Sequence, residues 1–240
     1  MNAPTLQTTN GSEMMRGIIN RGLQLVVVLF VEAVILLSAA GRLDWLWAWV
    51  YLGAYTVLIG VNAFLLLRKD PELIVERGKI RDDAQSWDKV LATLASLVGP
   101  FVVLIVSGLD ERWNWSPELN LTVRLIALVG MILAFLLVSW AMLSNPFFSG
   151  TVRIQKERGH TVAASGPYRY VRHPGYVGMS FMWVLPALLL GSLWGLVPAL
   201  VTVALIVVRT ALEDRMLQNE LEGYREYAQR VRYRLVPGVW

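Results

Sequence analysis

Residues 121–144 read LTVRLIALVGMILAFLLVSWAMLS. The run is long enough to span a bilayer as a helix, which takes roughly 20 residues. Outward on the N-terminal side, comparable runs cover about 22–40, 45–67 and 90–109. On the other side, 177–190 and 193–209 are shorter and separated only by Gly191-Ser192, which reads as a tight helical hairpin. Pro186 and Pro198 interrupt that pair, an interruption that neighbouring helices accommodate. Hydrophobic residues make up 55% of the chain and mean hydropathy is +0.50, too apolar for an ordinary soluble domain. The expected fold is all-α: a polytopic integral membrane protein of about six transmembrane helices, plus a cytoplasmic C-terminal amphipathic helix. Many of the ten Trp lie near the ends of apolar runs, as interfacial belts require. With no Cys there is no disulfide, zinc–thiolate site or thiol nucleophile, and two His among scattered acids offer no metal-ligand spacing.

Basic residues set the orientation. Arg16 and Arg21 precede the first run; Arg68, Lys69, Arg77, Lys79, Arg81 and Lys89 lie between the second and third. Arg153, Lys156, Arg158, Arg169 and Arg172 lie between the fourth and fifth, and the tail adds Arg215, Arg225, Arg230, Arg232 and Arg234. The opposite loops hold little more than Arg42 and Arg112. By the positive-inside rule both termini and both large polar loops are cytoplasmic, in a bacterial chain at the inner membrane. Residues 1–15 are polar and expected to be poorly ordered. Asp70-Pro71 reads as the capped start of a short interfacial helix, and Ser86-Trp87-Asp88 as the cap of the third span. Residues 1–240 form one domain: 1–144 are mostly plain membrane helix, and 145–240 carry nearly all the unusual polar residues.

The densest polar stretch is Ser165-Gly166-Pro167-Tyr168-Arg169-Tyr170-Val171-Arg172-His173-Pro174-Gly175-Tyr176, at the mouth of the fifth run. Two prolines break helix there and free backbone groups for binding. Irregular backbone near membrane depth is tolerated only where protein or a cavity covers it, so the stretch reads as one wall of a site. After the last run, Leu217, Leu221, Tyr224, Ala228 and Val231 follow helical spacing. Extended back by four, that stripe includes Glu213, which needs either a ligand or an ion pair with Arg209 one turn earlier. Arg169, Arg230 and Arg234 read as headgroup or topology charges. Arg232 is evenly placed between that role and reaching over the pocket.

In order, the chain presents Gly159-His160-Thr161-Val162, Ser165-Gly166-Pro167-Tyr168 and Arg172-His173-Pro174-Gly175-Tyr176. An apolar hairpin follows, then Glu213-Asp214 and the tail Arg232-Tyr233-Arg234-Leu235-Val236-Pro237-Gly238. This order resembles the isoprenylcysteine carboxyl methyltransferase family and its bacterial relatives, themselves similar to phospholipid N-methyltransferases. The resemblance includes Asn145-Pro146-Phe147-Phe148-Ser149 and covers about residues 68–240. It implies a methyltransferase using S-adenosylmethionine, with S-adenosylhomocysteine as product. By motif match it implies a cofactor site of His160, Thr161, Val162, Gly166, Tyr168, Arg172, His173, Pro174, Tyr176, Glu213 and Asp214. The catalytic set it implies is Arg172, Glu213 and Asn145, with no metal. Arg172 would grip the cofactor carboxylate with its fork, Glu213 and Asp214 would accept from ammonium or hydroxyls, and the rings would face adenine or sulfonium. Where the family often has a second Glu, Asp214 is shorter.

The implied partners are the lipid bilayer and an amphiphilic lipid or isoprenoid acceptor, with no nucleic acid. A carboxylate acceptor is ionised at neutral pH and needs no base, so alignment of the reactants would contribute most. An amine acceptor would need Glu213, Asp214 or His173 to take its proton. Two other readings stand beside this one. Membrane sterol reductases using NADPH resemble the Arg-His-Pro stretch but usually place an acidic residue where Met179 stands. A noncatalytic lipid-binding or transport protein is the third, although a transporter would place polar groups near the midplane, often within repeats.

Overall fold

The structure is a computed structural model and describes residues 11–77 and 84–240. Lys79 and Arg81 of the basic loop, and residues 1–10 of the polar N-terminal stretch, lie outside the described residues. From Gly11 onward that stretch is already helical, a correction to the expectation for 1–15.

All regular elements among the described residues are helical. The order is α1 Gly11–Ala40, α2 Leu46–Lys69, α3 Pro71–Arg77, α4 Ser86–Thr93, α5 Gly99–Trp113, α6 Leu121–Ser144, α7 Pro174–Leu190, α8 Leu196–Glu220 and α9 Tyr224–Arg230. A π-helical turn at Leu94–Val98 joins α4 and α5 into one rod, Ser86–Trp113. Five helices are long and apolar enough to cross a membrane: α1, α2, this rod, α6 and α8. The sixth expected span, α7, has 17 residues. At 1.5 Å per residue that is about 25 Å, short of a hydrocarbon core of about 30 Å. The last run shows the opposite departure. Its helix continues to Glu220 and carries Arg209, Glu213 and Asp214 beyond the apolar stretch.

Local chemistry explains most of the starts and stops. Asp70 Oδ1 accepts from the Leu73 amide at 3.1 Å, with Pro71 next to it, so α3 begins as expected. Asn120 Oδ1 accepts from the Val123 amide at 3.0 Å to open α6. α4 begins at Ser86, but Gln85 occupies the cap position and no side chain caps it. Asp88 is fully buried instead and faces the interior. The tail is not one continuous amphipathic helix. Gly223 takes a φ of +78°, a left-handed conformation that suits glycine, and the chain turns between α8 and α9. The apolar stripe survives that turn, because Leu217, Leu221 and Tyr224 bury together with Val152 and Tyr168.

In lipid, helix association draws little from the hydrophobic effect and rests on packing and interhelical hydrogen bonds. Leu36, Ala48, Leu104, Met131 and Leu189 form the largest buried cluster, joining α1, α2, α5, α6 and α7. Asn62 Nδ2 donates to Ser139 Oγ at 2.8 Å across α2 and α6. Arg124 donates from Nη1 to the Leu189 carbonyl at 3.1 Å, satisfying the C-terminal end of α7 where the hairpin turns toward α8. The site region lies at the other end of this hairpin, between the start of α7 and the end of α8.

Candidate active site

Asp214, 0% exposed, is the organising residue. Its Oδ1 accepts from Arg172 Nε at 2.7 Å and Tyr224 Oη at 3.0 Å, and lies 3.2 Å from His173 Nε2. Its Oδ2 accepts from Arg234 Nε at 2.8 Å, Gln218 Nε2 at 2.8 Å and Arg172 Nη2 at 3.0 Å. The remaining Arg172 nitrogen, Nη1, donates at 2.8 Å to the carbonyls of Val231 and Arg232. Backbone bonds reinforce the clasp: the Arg172 amide donates to Tyr233 O at 2.9 Å and the His173 amide to Arg234 O at 3.0 Å. The loop before α7, the end of α8 and the tail are thus held by one carboxylate. Arg172 grips this internal carboxylate with the fork that the sequence assigned to the cofactor. Arg234, read as a surface charge, is part of the same cluster, while the Arg232 side chain is exposed.

A second ion pair lies deeper. Arg209 donates to Asp88 from Nε at 2.6 Å and Nη2 at 3.1 Å, and Nη2 also reaches the Gly150 carbonyl at 2.9 Å. Asp88 Oδ2 accepts from the Val152 amide at 2.6 Å. The Arg209 guanidinium stands 5.3 Å from the centre of the Tyr176 ring. Tyr176 Oη in turn donates to Glu213 through a short hydrogen bond. Arg209 therefore engages Asp88 rather than Glu213, which corrects the one-turn ion pair considered from the sequence. Glu213 is half-buried, with Tyr176 as its hydrogen-bond partner.

One cavity of about 490 Å³ runs through this region. Its polar end is lined by Asn145, His160, Thr161, Val162, Tyr168, Arg172, His173, Tyr176 and Glu213, together with Tyr224 and Tyr227. Its other end is lined by Leu25 and Val28 of α1, Tyr55 and Ile59 of α2, and Phe135 and Val138 of α6. Ser96 and Leu97 of the π-helical turn also face it, a common place for such a turn. Three residues expected at the site stand behind the wall. Gly166 packs on α6, where a Cβ would meet Ser144 Oγ at 2.3 Å. Pro174 is buried at the first turn of α7, and Asp214 is enclosed by its donors.

The loop over the polar end is built on Gln155, 1% exposed. Its Nε2 donates to the Phe147 carbonyl at 2.7 Å, and its Oε1 accepts from Arg158 Nη1 at 2.7 Å. Its amide donates to His160 Nδ1 at 3.3 Å, which fixes the imidazole as an acceptor on that nitrogen. The ring lies 4.5 Å from the Phe147 ring, tilted by 30°. Burial and the nearby Arg153 and Arg158 charges pull the His160 pKa down from 6.5 to about 4. At neutral pH it presents a neutral flat face. The unfolded chain binds this proton below pH 6.5 and the folded chain only near 4, so acidification through that window costs stability. His160 should titrate near 4 when its imidazole shifts are followed by NMR; a midpoint near 6.5 would remove this account of the loop. Asn145 accepts on Oδ1 from the Phe147 amide at 2.9 Å and donates from Nδ2 to Tyr168 Oη at 3.3 Å. Burial raises the Tyr168 phenol well above its ordinary value, keeping it protonated.

Residues 125–219 match the model of the Isoprenylcysteine carboxyl methyltransferase (ICMT) family. That match covers less than half of the chain and shows a likeness to the ICMT family over this segment. The matched ICMT segment takes in Asn145, the loop built on Gln155, the Arg172-His173 stretch, the hairpin and both Glu213 and Asp214. The chain is also similar to the Delta(14)-sterol reductase TM7SF2 of Mus musculus, at 35% identity over 104 residues. Those residues are 40% of this chain and 24% of the relative, so the chain spans about a quarter of the length of that curated relative. With five helices long and apolar enough to cross a membrane, the chain is a multi-pass membrane protein, and residues 125–219 carry its likeness to a methyltransferase family. Asp88, Arg77 and Tyr227, which complete the region structurally, fall outside the ICMT match. Gln155 lies inside it, yet nothing in its sequence context marks it as the centre of a loop.

Proposed function

We propose that this chain is an S-adenosylmethionine-dependent methyltransferase whose acceptor is an amphiphile, an isoprenoid or lipid-like carboxylate, with O-methylation rather than N-methylation. The observation that carries the reading is a single cavity with a polar end on the ICMT-matched segment and an apolar end between membrane helices. We place the polar end on the cytoplasmic side, following the distribution of Arg and Lys.

The residues present fit such a cofactor. The polar end offers a neutral imidazole face at His160, a carboxylate at Glu213 and the Thr151 hydroxyl, which is buried without a hydrogen-bond partner among the described residues. His160, Thr161 and Val162 would hold the adenine, and Glu213 the ammonium or ribose hydroxyls. Tyr168, His173 and Tyr176 would line the reacting end. When bound, the cofactor supplies an electrophilic methyl group on a cationic sulfur. The chain's own contribution is positional. Arg172 and Asp214 fix the loop and tail around the polar end, and Arg209 and Asp88 hold Tyr176, which orients Glu213. The apolar end excludes water and aligns a hydrocarbon tail, and alignment of reactants can supply much of the acceleration.

Calorimetry on the detergent-purified protein, titrating S-adenosylhomocysteine and NADPH in turn, tests the reading. Saturable binding of S-adenosylhomocysteine alone is expected. Glu213→Ala should weaken it by about 10- to 100-fold, the scale of a lost hydrogen bond to a charged group. The similarity to the sterol reductase favours a second reading as an NADPH-dependent membrane reductase, and binding of NADPH alone would establish that one instead.

A further inference from the structure

Buried donors on the cavity wall with no hydrogen-bond partner among the described residues include Arg77 Nη1, Thr151 Oγ1 and Trp183 Nε1. Unpaired buried donors are costly, and a cation most of all. Among the described residues no carboxylate forms an ion pair with Arg77. Its chain neighbour Glu76 accepts from Arg153 at 2.7 Å. Asp88 is engaged by Arg209 and Asp214 by Arg172. What Arg77 does have is the Phe148 ring, 5.0 Å from its guanidinium carbon. Burial and the charges of Arg21 and Arg209 pull its pKa down to about 10, still cationic at neutral pH.

Its position gives the excess charge a meaning. Arg77 ends α3, which packs on α1. From Arg21 the cavity wall continues along α1 through Leu25 and Val28 to Tyr55 and Ile59 of α2. A cationic fork therefore stands where the polar end gives way to an apolar channel. An amphiphile with an anionic head satisfies both at once, whereas an amine head would add a cation beside Arg21 and Arg77.

We propose that Arg77 is the specificity residue that seats the anionic head of the acceptor, selecting a carboxylate-bearing lipid over an amine or alcohol of the same tail. This rests on the methyltransferase reading for the word acceptor, though the anion site itself does not. The shared chemistry is a carboxylate, and the cofactor's own is the other source to separate.

The test uses the full chain in lipid nanodiscs, titrated with S-adenosylhomocysteine and, separately, with palmitate, hexadecylamine and hexadecanol against empty-nanodisc controls. Palmitate should bind the wild type about tenfold or more tighter than the other two. Arg77→Met should weaken palmitate about 10- to 100-fold, as for loss of a charge-assisted fork, and leave S-adenosylhomocysteine within about twofold. Arg77→Lys keeps the charge without the fork and should fall between, which preserves the test if the Met variant fails to insert. Equal binding of palmitate and the amine, no binding of any of the three, or palmitate unaffected by both variants would overturn the proposal. Parallel loss of S-adenosylhomocysteine and palmitate in the Arg77 variants would also overturn it and give Arg77 to the cofactor. If the wild type binds no S-adenosylhomocysteine yet prefers palmitate through Arg77, the methyltransferase reading fails and the anion site stands.

Discussion

Asp214→Ala should release the tail and empty the site of its geometry. The substitution leaves Arg172 and Arg234 without their shared carboxylate, and removes the acceptor of Tyr224 and Gln218. Removing one partner of a buried ion pair typically costs about 3–5 kcal/mol, because the other charge remains buried. Arg172 should carry most of that cost, since the Arg234 side chain is 31% exposed. Tyr227 still donates to the Tyr168 carbonyl at 2.7 Å, so α9 keeps one attachment, while residues 231–234 keep only their carbonyl bonds to Arg172 and His173. Limited proteolysis should show new cleavage after Arg230, alongside a lower unfolding temperature and loss of S-adenosylhomocysteine binding. An unchanged cleavage pattern would mean that the backbone bonds to Arg172 and His173 hold the tail alone.

Asp88→Ala should be nearly as damaging, by a different route. Arg209, 4% exposed, loses its fork partner, and the Val152 amide loses a charged acceptor. A cost of about 3–5 kcal/mol follows from the same argument. Glu213 lies one turn away on α8, and the freed guanidinium can swing toward it, which would pull Glu213 from Tyr176. Cofactor binding should therefore fall further than the stability loss explains. Replacing both partners, as Asp88→Leu with Arg209→Met, removes the orphaned charge and should recover most of the unfolding temperature but not the binding. Equal unfolding temperatures for the single and double variants would show that the pair's charge is not what the fold depends on.

The membrane architecture was legible because 20-residue apolar runs have few alternative fates. Two runs misled on length for opposite reasons. α7 stops where Gly191 turns the chain, and α8 continues with Arg209, Thr210 and Asp214 facing protein rather than water. The Arg172–Tyr176 stretch could be found from its prolines and its charge density. The partner of Arg172 could not, since a cation at the membrane edge reads the same whether it meets a ligand or Asp214. Asp88 shows the limit most clearly. An Asp in the first turn of a helix has an ordinary explanation as a dipole partner, and nothing local reports an arginine 121 positions away. Arg77 was counted only as a topology charge, and its meaning depends on three helices converging.

The clasp around Asp214 also bears on how the protein is made. The pieces it joins are separated by the α7–α8 hairpin and the turn at Gly223, and residues 231–235 leave the ribosome after the five long apolar helices described have been synthesised. Insertion into the bilayer can therefore be complete while the pocket is still open. A chain stalled or cleaved within residues 231–235 would keep its membrane helices while Arg172 and Asp214 lose the tail that they hold, so membrane integration is a poor proxy for an assembled site.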